Sequence, residues 1–168
     1  MRRLSILLLA SILPILLAWW LLRPEPMAGK SEPPTTLVGD GKADNTQAIR
    51  NLLLKDGTIT FPRGVFRITE PIVINLDSTG PVAIVANGNA TLLMDGPGPA
   101  FRFVGTHAGT AAPKTVKPNV WEKQRTPTIA GLEIVGRHAE ADAIEAEGTM
   151  QLTLDRVTSA SAGMACIW

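Results

Sequence analysis

Val38-Gly39-Asp40-Gly41-Lys42-Ala43-Asp44-Asn45-Thr46-Gln47-Ala48-Ile49-Arg50 runs, a few residues on, into Gly57-Thr58-Ile59-Thr60-Phe61-Pro62-Arg63-Gly64-Val65-Phe66-Arg67-Ile68. The first half reads as a turn feeding a helix. Gly39 and Gly41 permit the turn, and Asp40 is a turn former. Asp44 is a good N-cap, with Gln47 three residues on in a capping-box arrangement. Ala48, Ile49, Leu52 and Leu53 share one helical face, and Gly57 stops the helix. The spacing predicts a short, one-sided helix over about 44–54 that must cover something. The second half changes period: Ile59 and Phe61, then Phe66 and Ile68, alternate as in short strands.

Beyond this stretch the alternation continues. Ile72 and Ile74 form one pair, Phe101 and Phe103 another. Turns fall at Pro62-Arg63-Gly64, Asp77-Ser78-Thr79-Gly80, Asn87-Gly88-Asn89 and Asp95-Gly96-Pro97-Gly98. Nothing after residue 57 has the length and period of a second long helix, which argues against alternating β-α-β architecture. Near the C-terminus, Ile129-Ala130-Gly131-Leu132-Glu133-Ile134 is echoed 25 residues later by Leu154-Asp155-Arg156-Val157-Thr158-Ser159. A repeat of that period with two short strands per turn suits one coil of a stacked parallel array. The fold class expected is therefore all-β, a right-handed parallel β-helix (a single-stranded solenoid) with an N-terminal capping helix.

The two-part pattern at residues 38–68 resembles the opening of the pectate-lyase-like superfamily, including its rhamnogalacturonase and epimerase-like branch. The resemblance implies a β-helix that binds acidic polysaccharide and, in full-length relatives, depolymerises or modifies it as a lyase or glycoside hydrolase. The superfamily's catalytic residues stand in middle coils that this chain largely lacks. None can be carried over residue by residue, so the catalytic residues are unknown and a catalytically incomplete N-terminal portion is expected. The alternatives are a non-catalytic adhesion module and an N-terminal gene fragment inactive alone.

The N-terminus is a separate object. Arg2 and Arg3 precede Leu4–Leu22, nineteen uncharged and mostly apolar residues ending in Trp19-Trp20-Leu21-Leu22. That length crosses a hydrocarbon core, the small-x-small cleavage pattern of a signal is poor, and the tryptophans suit an interface. Residues 1–22 are read as a membrane anchor, in preference to a cleaved signal, and 23–36 as a proline-rich tether. Residues 37–168 are the domain, expected outside the membrane.

From Thr35 onward the chain carries 12 Lys+Arg against 13 Asp+Glu. That balance excludes binding to polyanions by bulk charge, and no nucleic-acid motif appears. One cysteine, Cys166, excludes an internal disulfide framework. Two local charge clusters stand out. Gly105–Pro127 breaks the alternation and holds Lys114, Lys117, Trp121, Lys123 and Arg125 against one acid, Glu122. Cations beside an indole suit an anionic sugar, by pairing with its carboxylate and stacking on its ring. These five are the candidate substrate-binding residues. Farther on, Glu145 and Glu147 are expected on an outward strand face with Ile144 and Ala146 inward. Carboxylate oxygens in this arrangement would suit calcium as a cofactor. His107 and His138 lack metal-ligand spacing, and Asn89-Ala90-Thr91 fits a glycosylation sequon.

Overall fold

The computed structural model describes residues 34–110 and 112–161, which belong to one compact unit, Pro33–Trp168. Ten strands and two α-helices follow in order: β1 (Asp40–Asp44), α1 (Thr46–Asp56), β2 (Thr58–Phe61), β3 (Gly64–Ile68), β4 (Ile72–Asn75), α2 (Leu76–Thr79), β5 (Ala83–Met94), β6 (Gly98–Val104), β7 (Thr128–Gly136), β8 (Ala141–Glu147), β9 (Thr153–Asp155) and β10 (Thr158–Ser161). Every strand pairing is parallel. The larger sheet runs β1-β3-β5-β7-β10, with β2 also on β5 and β9 also on β7; the smaller runs β4-β6-β8.

Register follows the apolar alternation. Ile59, Ile84, Ile129 and Leu154 stand side by side across four strands. Phe66, Leu92 and Ile134 form a second row, and Ile72, Phe101 and Ile144 a third, on the smaller sheet. All but Leu154 are buried, and the rows meet in one core. Phe61 and Phe66 meet edge to face at 5.1 Å between ring centroids. Each such buried side chain contributes about 2 kcal/mol of transfer free energy. A one-residue slip would turn every row outward, so burial fixes the register. The sequence echo of 129–134 in 154–159 appears here as adjacency, with Ile129 beside Leu154 and Glu133 beside Thr158.

Helix α1 is capped one residue later than expected at its start and stops at Gly57 as expected. Asn45 takes the cap position, while the Asp44 carboxylate reaches forward to accept the Thr46 N–H at 2.9 Å. Gly57 closes the helix in the left-handed region (φ 63°), its N–H donating to Leu53 O at 2.9 Å. A Cβ there would stand 2.8 Å from Pro81 O, so glycine is needed twice over. Asp40 is the turn former expected of it: its Oδ1 accepts the Lys42 and Ala43 N–H groups, both at 2.8 Å.

The expected all-β, single-stranded β-helix is corrected to a mixed α/β arrangement of two parallel sheets. Helices stand between strands at two places, β1-α1-β2 and β4-α2-β5. The apolar stripe Ala48, Ile49 and Leu53 explains the first, since it is buried against β2 and β4. The second occupies what the sequence presented as a turn. Asn75 Oδ1 accepts the Asp77 N–H, Leu76 is fully buried, and Gly80 donates back to Leu76 O at 3.1 Å. The membrane-anchored, exported placement is corrected as well. Among the described residues no helix is long and apolar enough to cross a membrane. The Leu4–Leu22 span lies outside the described residues, so anchoring has no structural support.

Candidate functional site on the Gly105 to Pro127 insertion

The connection from β6 to β7 is far longer than its counterparts and is built to leave the sheets and return. Gly105 opens it, donating to Glu147 O at 2.8 Å; a Cβ there would fall 2.1 Å from Gly148 O, so only glycine lets the chain turn out here. A 3-10 turn, Pro113–Thr115, carries the exposed Lys114. The Lys117 carbonyl then accepts the N–H groups of Val120 (3.0 Å) and Trp121 (3.3 Å), starting a π-helical turn over Val120–Gln124. A π turn is rare and recurs at functional sites. The return is fixed by the Thr126 N–H, which donates to Met150 O at 2.9 Å with Thr126 at φ 55°, a conformation costly for a β-branched residue.

Two buried residues hold the insertion down. Val120 is fully enclosed, and so is Gln124, whose exposure is 0%. The Gln124 amide is saturated: Oε1 accepts the Thr106 N–H (2.8 Å), and Nε2 donates to Asp77 Oδ1 (2.8 Å) and Thr106 Oγ1 (2.8 Å). Asn119 Nδ2 adds a second donor to Asp77 Oδ1 at 3.0 Å. The Asn119 and Gln124 amides hold the Asp77 carboxyl below the usual carboxylate range, helped by the charge of Lys123. The insertion is thereby clamped onto α2.

Above this clamp stand the five residues singled out for substrate binding. The Arg125 guanidinium lies over the Trp121 ring, 5.7 Å from its centroid, and Trp121 is half-buried. Lys114, Lys117, Lys123 and Arg125 are exposed. Among the described residues none of the four lies in a salt bridge. The insertion therefore offers one cation stacked on an indole and three further exposed lysines outside any salt bridge. Gln124, Asn119 and Thr106, which shape it, gave no sequence signal beyond their polarity, and Asp77 gave only that of a turn.

Glu145 and Glu147 point outward, with Ile144 buried, as alternation required. Between them lies a residue that sequence reading passed over, Arg102 of β6. Its Nε is 3.2 Å from Glu145 Oε1 and its Nη2 is 3.5 Å from Glu147 Oε2. The signal was available: Phe101-Arg102-Phe103 alternates in step with Ile144-Glu145-Ala146, and the register sets Arg102 beside Glu145. An arginine thus occupies the charge that a cation would balance. Among the described residues no group of three or more His, Cys, Asp or Glu is arranged to hold a metal ion. His107 belongs to the insertion, where its Nε2 stands 3.2 Å from Thr110 O, and His138 to the turn after β7, where its Nδ1 accepts the Glu140 N–H. Cys166 lies outside the described residues.

Elsewhere, a small groove of about 110 Å³ between α1 and β4 is lined by Arg50, Leu53, Leu54, Ile72, Val73, Ile74 and Thr79. Leu54 (72% exposed) and Val73 (57%) rim it. No protein-family model, curated protein or solved structure matches the chain.

Proposed function

We propose that the protein binds acidic polysaccharide through the Gly105–Pro127 insertion. The observation that carries this reading is the Arg125–Trp121 stack on a braced insertion that also carries three exposed lysines outside any salt bridge among the described residues. Lys114, Lys117, Lys123 and Arg125 supply charge for uronate carboxylates, and the indole supplies a face for a sugar ring. The clamp through Gln124 and Asp77 keeps the stack in place before the ligand arrives, which lowers the ordering cost of binding. The resemblance of residues 38–68 to proteins acting on acidic polysaccharides supports the choice of ligand class. Outside the insertion, from Thr35 onward, the domain carries 8 Lys+Arg against 12 Asp+Glu, so the contact with an anionic polymer is local to the insertion.

Affinity electrophoresis and titration calorimetry of the full chain against polygalacturonate, alginate and a neutral dextran test the reading. Retention by the two anionic polymers but not by dextran is expected. Replacing Lys114, Lys117, Lys123 and Arg125 together by alanine should weaken binding at least about tenfold, the loss of roughly 1.4 kcal/mol or more. Wild-type protein that ignores both anionic polymers would overturn it.

A further inference from the structure

We propose that Asn87-Gly88 is a site of spontaneous covalent modification, at which Asn87 converts to a mixture of aspartate and isoaspartate through a succinimide. In the first chemical step the Gly88 backbone nitrogen attacks Cγ of Asn87. The N–Cγ bond forms, the Cγ–Nδ2 bond breaks, and the Gly88 amide proton passes through solvent base to the departing Nδ2, which leaves as ammonia. Water then opens the five-membered ring at either carbonyl. One opening gives aspartate with the normal backbone, and the other routes the backbone through the former side chain. No oxidant or reductant is involved, and water is the only co-reactant.

Three features of the fold direct the reaction to this residue. The first is steric. The attacking nitrogen must reach the side chain past the following residue, and a side chain on that residue impedes it. Of the six asparagines only Asn87 precedes glycine; the others precede Thr46, Leu52, Leu76, Ala90 and Val120. Gly88 sits at φ 73°, and nothing lies within 4 Å of where its Cβ would be.

The second is the ladder. Strand β5 is in register with β2 up to Ala86 and with β3 from Ala90. Against β7 the register jumps, with Val85 opposite Ala130 and Ala90 opposite Leu132. On β5, Ala86 to Asn89 therefore oppose the single residue Gly131 of β7, and Asn87-Gly88-Asn89 is pushed out as an exposed bulge. Gly131 cannot yield to restore the ladder: a Cβ there would meet Ala86 O at 2.0 Å. The three bulged residues are in register with no neighbouring strand among the described residues, so they have the freedom that ring closure needs.

The third is competition. Four of the other asparagine side chains are held by hydrogen bonds: Asn45 by Val38 and Ala43, Asn51 by Pro34, Asn75 by the Asp77 N–H, and Asn119 by Asp77. The pairs Asp40-Gly41, Asp56-Gly57 and Asp95-Gly96 could close the same ring, but an aspartate loses and regains water and so shows no change of mass, and at Gly57 the nitrogen is already committed to Leu53 O. Because Ala86 and Ala90, on either side of the bulge, are buried and paired, the extra backbone methylene of isoaspartate stays within the bulge. The modified protein therefore keeps its fold and gains one negative charge.

The experiment is an incubation of the full chain, folded, in mildly alkaline buffer, with peptide mass mapping over time. The expected result is a gain of about 1 Da per chain confined to the peptide with Asn87, with isoaspartate detected by enzymatic methylation. Conversion there should outpace that of Asn89 and Asn51 at least about tenfold, because only Asn87 has glycine behind it. Gly88→Ala should slow it by a similar factor, and Asn87→Gln should abolish the mass change while leaving the thermal unfolding midpoint unmoved. Equal rates at Asn87 and Asn89, or conversion seen only in urea, would overturn the proposal.

Discussion

Asn45 ties the segment before α1 to the helix start, and it does so from inside. It is 2% exposed. Its Oδ1 accepts the Val38 N–H at 2.7 Å, and its Nδ2 donates to Ala43 O at 2.9 Å and Val38 O at 3.1 Å. Its own N–H donates to Arg67 O at 2.8 Å. One amide thus satisfies both main-chain groups of Val38 and joins β1 to the start of α1. Asn45→Ala would leave the Val38 N–H and C=O and the Ala43 C=O, all part-buried, without the amide, and such groups cost about 1–3 kcal/mol when left unpaired. Urea unfolding should show a loss of about 2–3 kcal/mol with an unchanged slope. A loss under about 0.5 kcal/mol would mean that water takes over the amide's partners. Asp44, the residue that sequence reading placed at the cap, has the more local task. Burial would raise its pKa, but hydrogen bonds from the Thr46 hydroxyl and N–H and the Thr69 hydroxyl, with the charge of Arg67, bring it below normal. Composition could not separate these neighbours, since both are good cap residues. What distinguishes them is the fold of residues 38–43 back over Asn45, a contact of separation seven.

At the scale of elements, the insertion and α2 behave as one latch, and the acid response of the latch follows from Asp77. Its carboxylate accepts from Asn119 and Gln124, which lowers its pKa below the ordinary 3.8. A group with a depressed folded pKa stabilises fully above its unfolded value and stops doing so as pH falls through the folded value. The latch should therefore be intact at any pH above about 4 and loosen below the ordinary carboxylate range. Hydrogen-exchange protection at Val120–Gln124, followed downward in pH, should show this step, and Asp77→Asn should remove it while leaving the similar acid sensitivity of Asp40 and Asp44 in place. A step of equal size in the Asp77→Asn protein would assign the effect elsewhere. The latch also marks where sequence reading ran out. Lys114, Lys117, Trp121, Lys123 and Arg125 could be picked out because charge and aromaticity concentrate between Gly105 and Pro127. Gln124 could not, because its partners are Asp77 and Thr106, 47 and 18 residues away, and a lone glutamine in a basic loop looks solvated. Helix α2 was hidden for a related reason. Four residues carry no period, and Asp77-Ser78-Thr79-Gly80 has the composition of a turn.

For the whole molecule, the strand rows were legible because a period of two and a 25-residue echo are local properties of the chain. The class was not, because the weight of helices against strands is settled by what the apolar face of α1 packs on. The outer surface holds a further consequence of parallel register. Arg67 on β3, Asp95 after β5 and Arg137 after β7 follow one another across three strands, and the Asp95 carboxylate lies between the two guanidiniums, bonded to Arg67 Nε and 3.4 Å from Arg137 Nε. The backbone tracks the same line, with Asp95 N–H donating to Ile68 O at 2.9 Å and Arg137 N–H to Met94 O at 2.8 Å. One acid bridges two bases at a corner shared by three strands, so its removal leaves two like charges facing each other. Exposed single pairs contribute about 0–1 kcal/mol. Asp95 is only 20% exposed and serves two partners, so Asp95→Asn should cost more, about 1–2 kcal/mol. Part of that cost is repulsion between Arg67 and Arg137, which salt screens. The deficit of Asp95→Asn against wild type should therefore shrink between about 0.05 M and 1 M sodium chloride, as the Debye length falls to about 3 Å. Arg137→Gln in the Asp95→Asn background should recover part of the loss at low salt, because it removes one of the two facing charges. A deficit that ignores salt and is untouched by Arg137→Gln would show that Asp95 acts through its hydrogen bond to Arg67 alone.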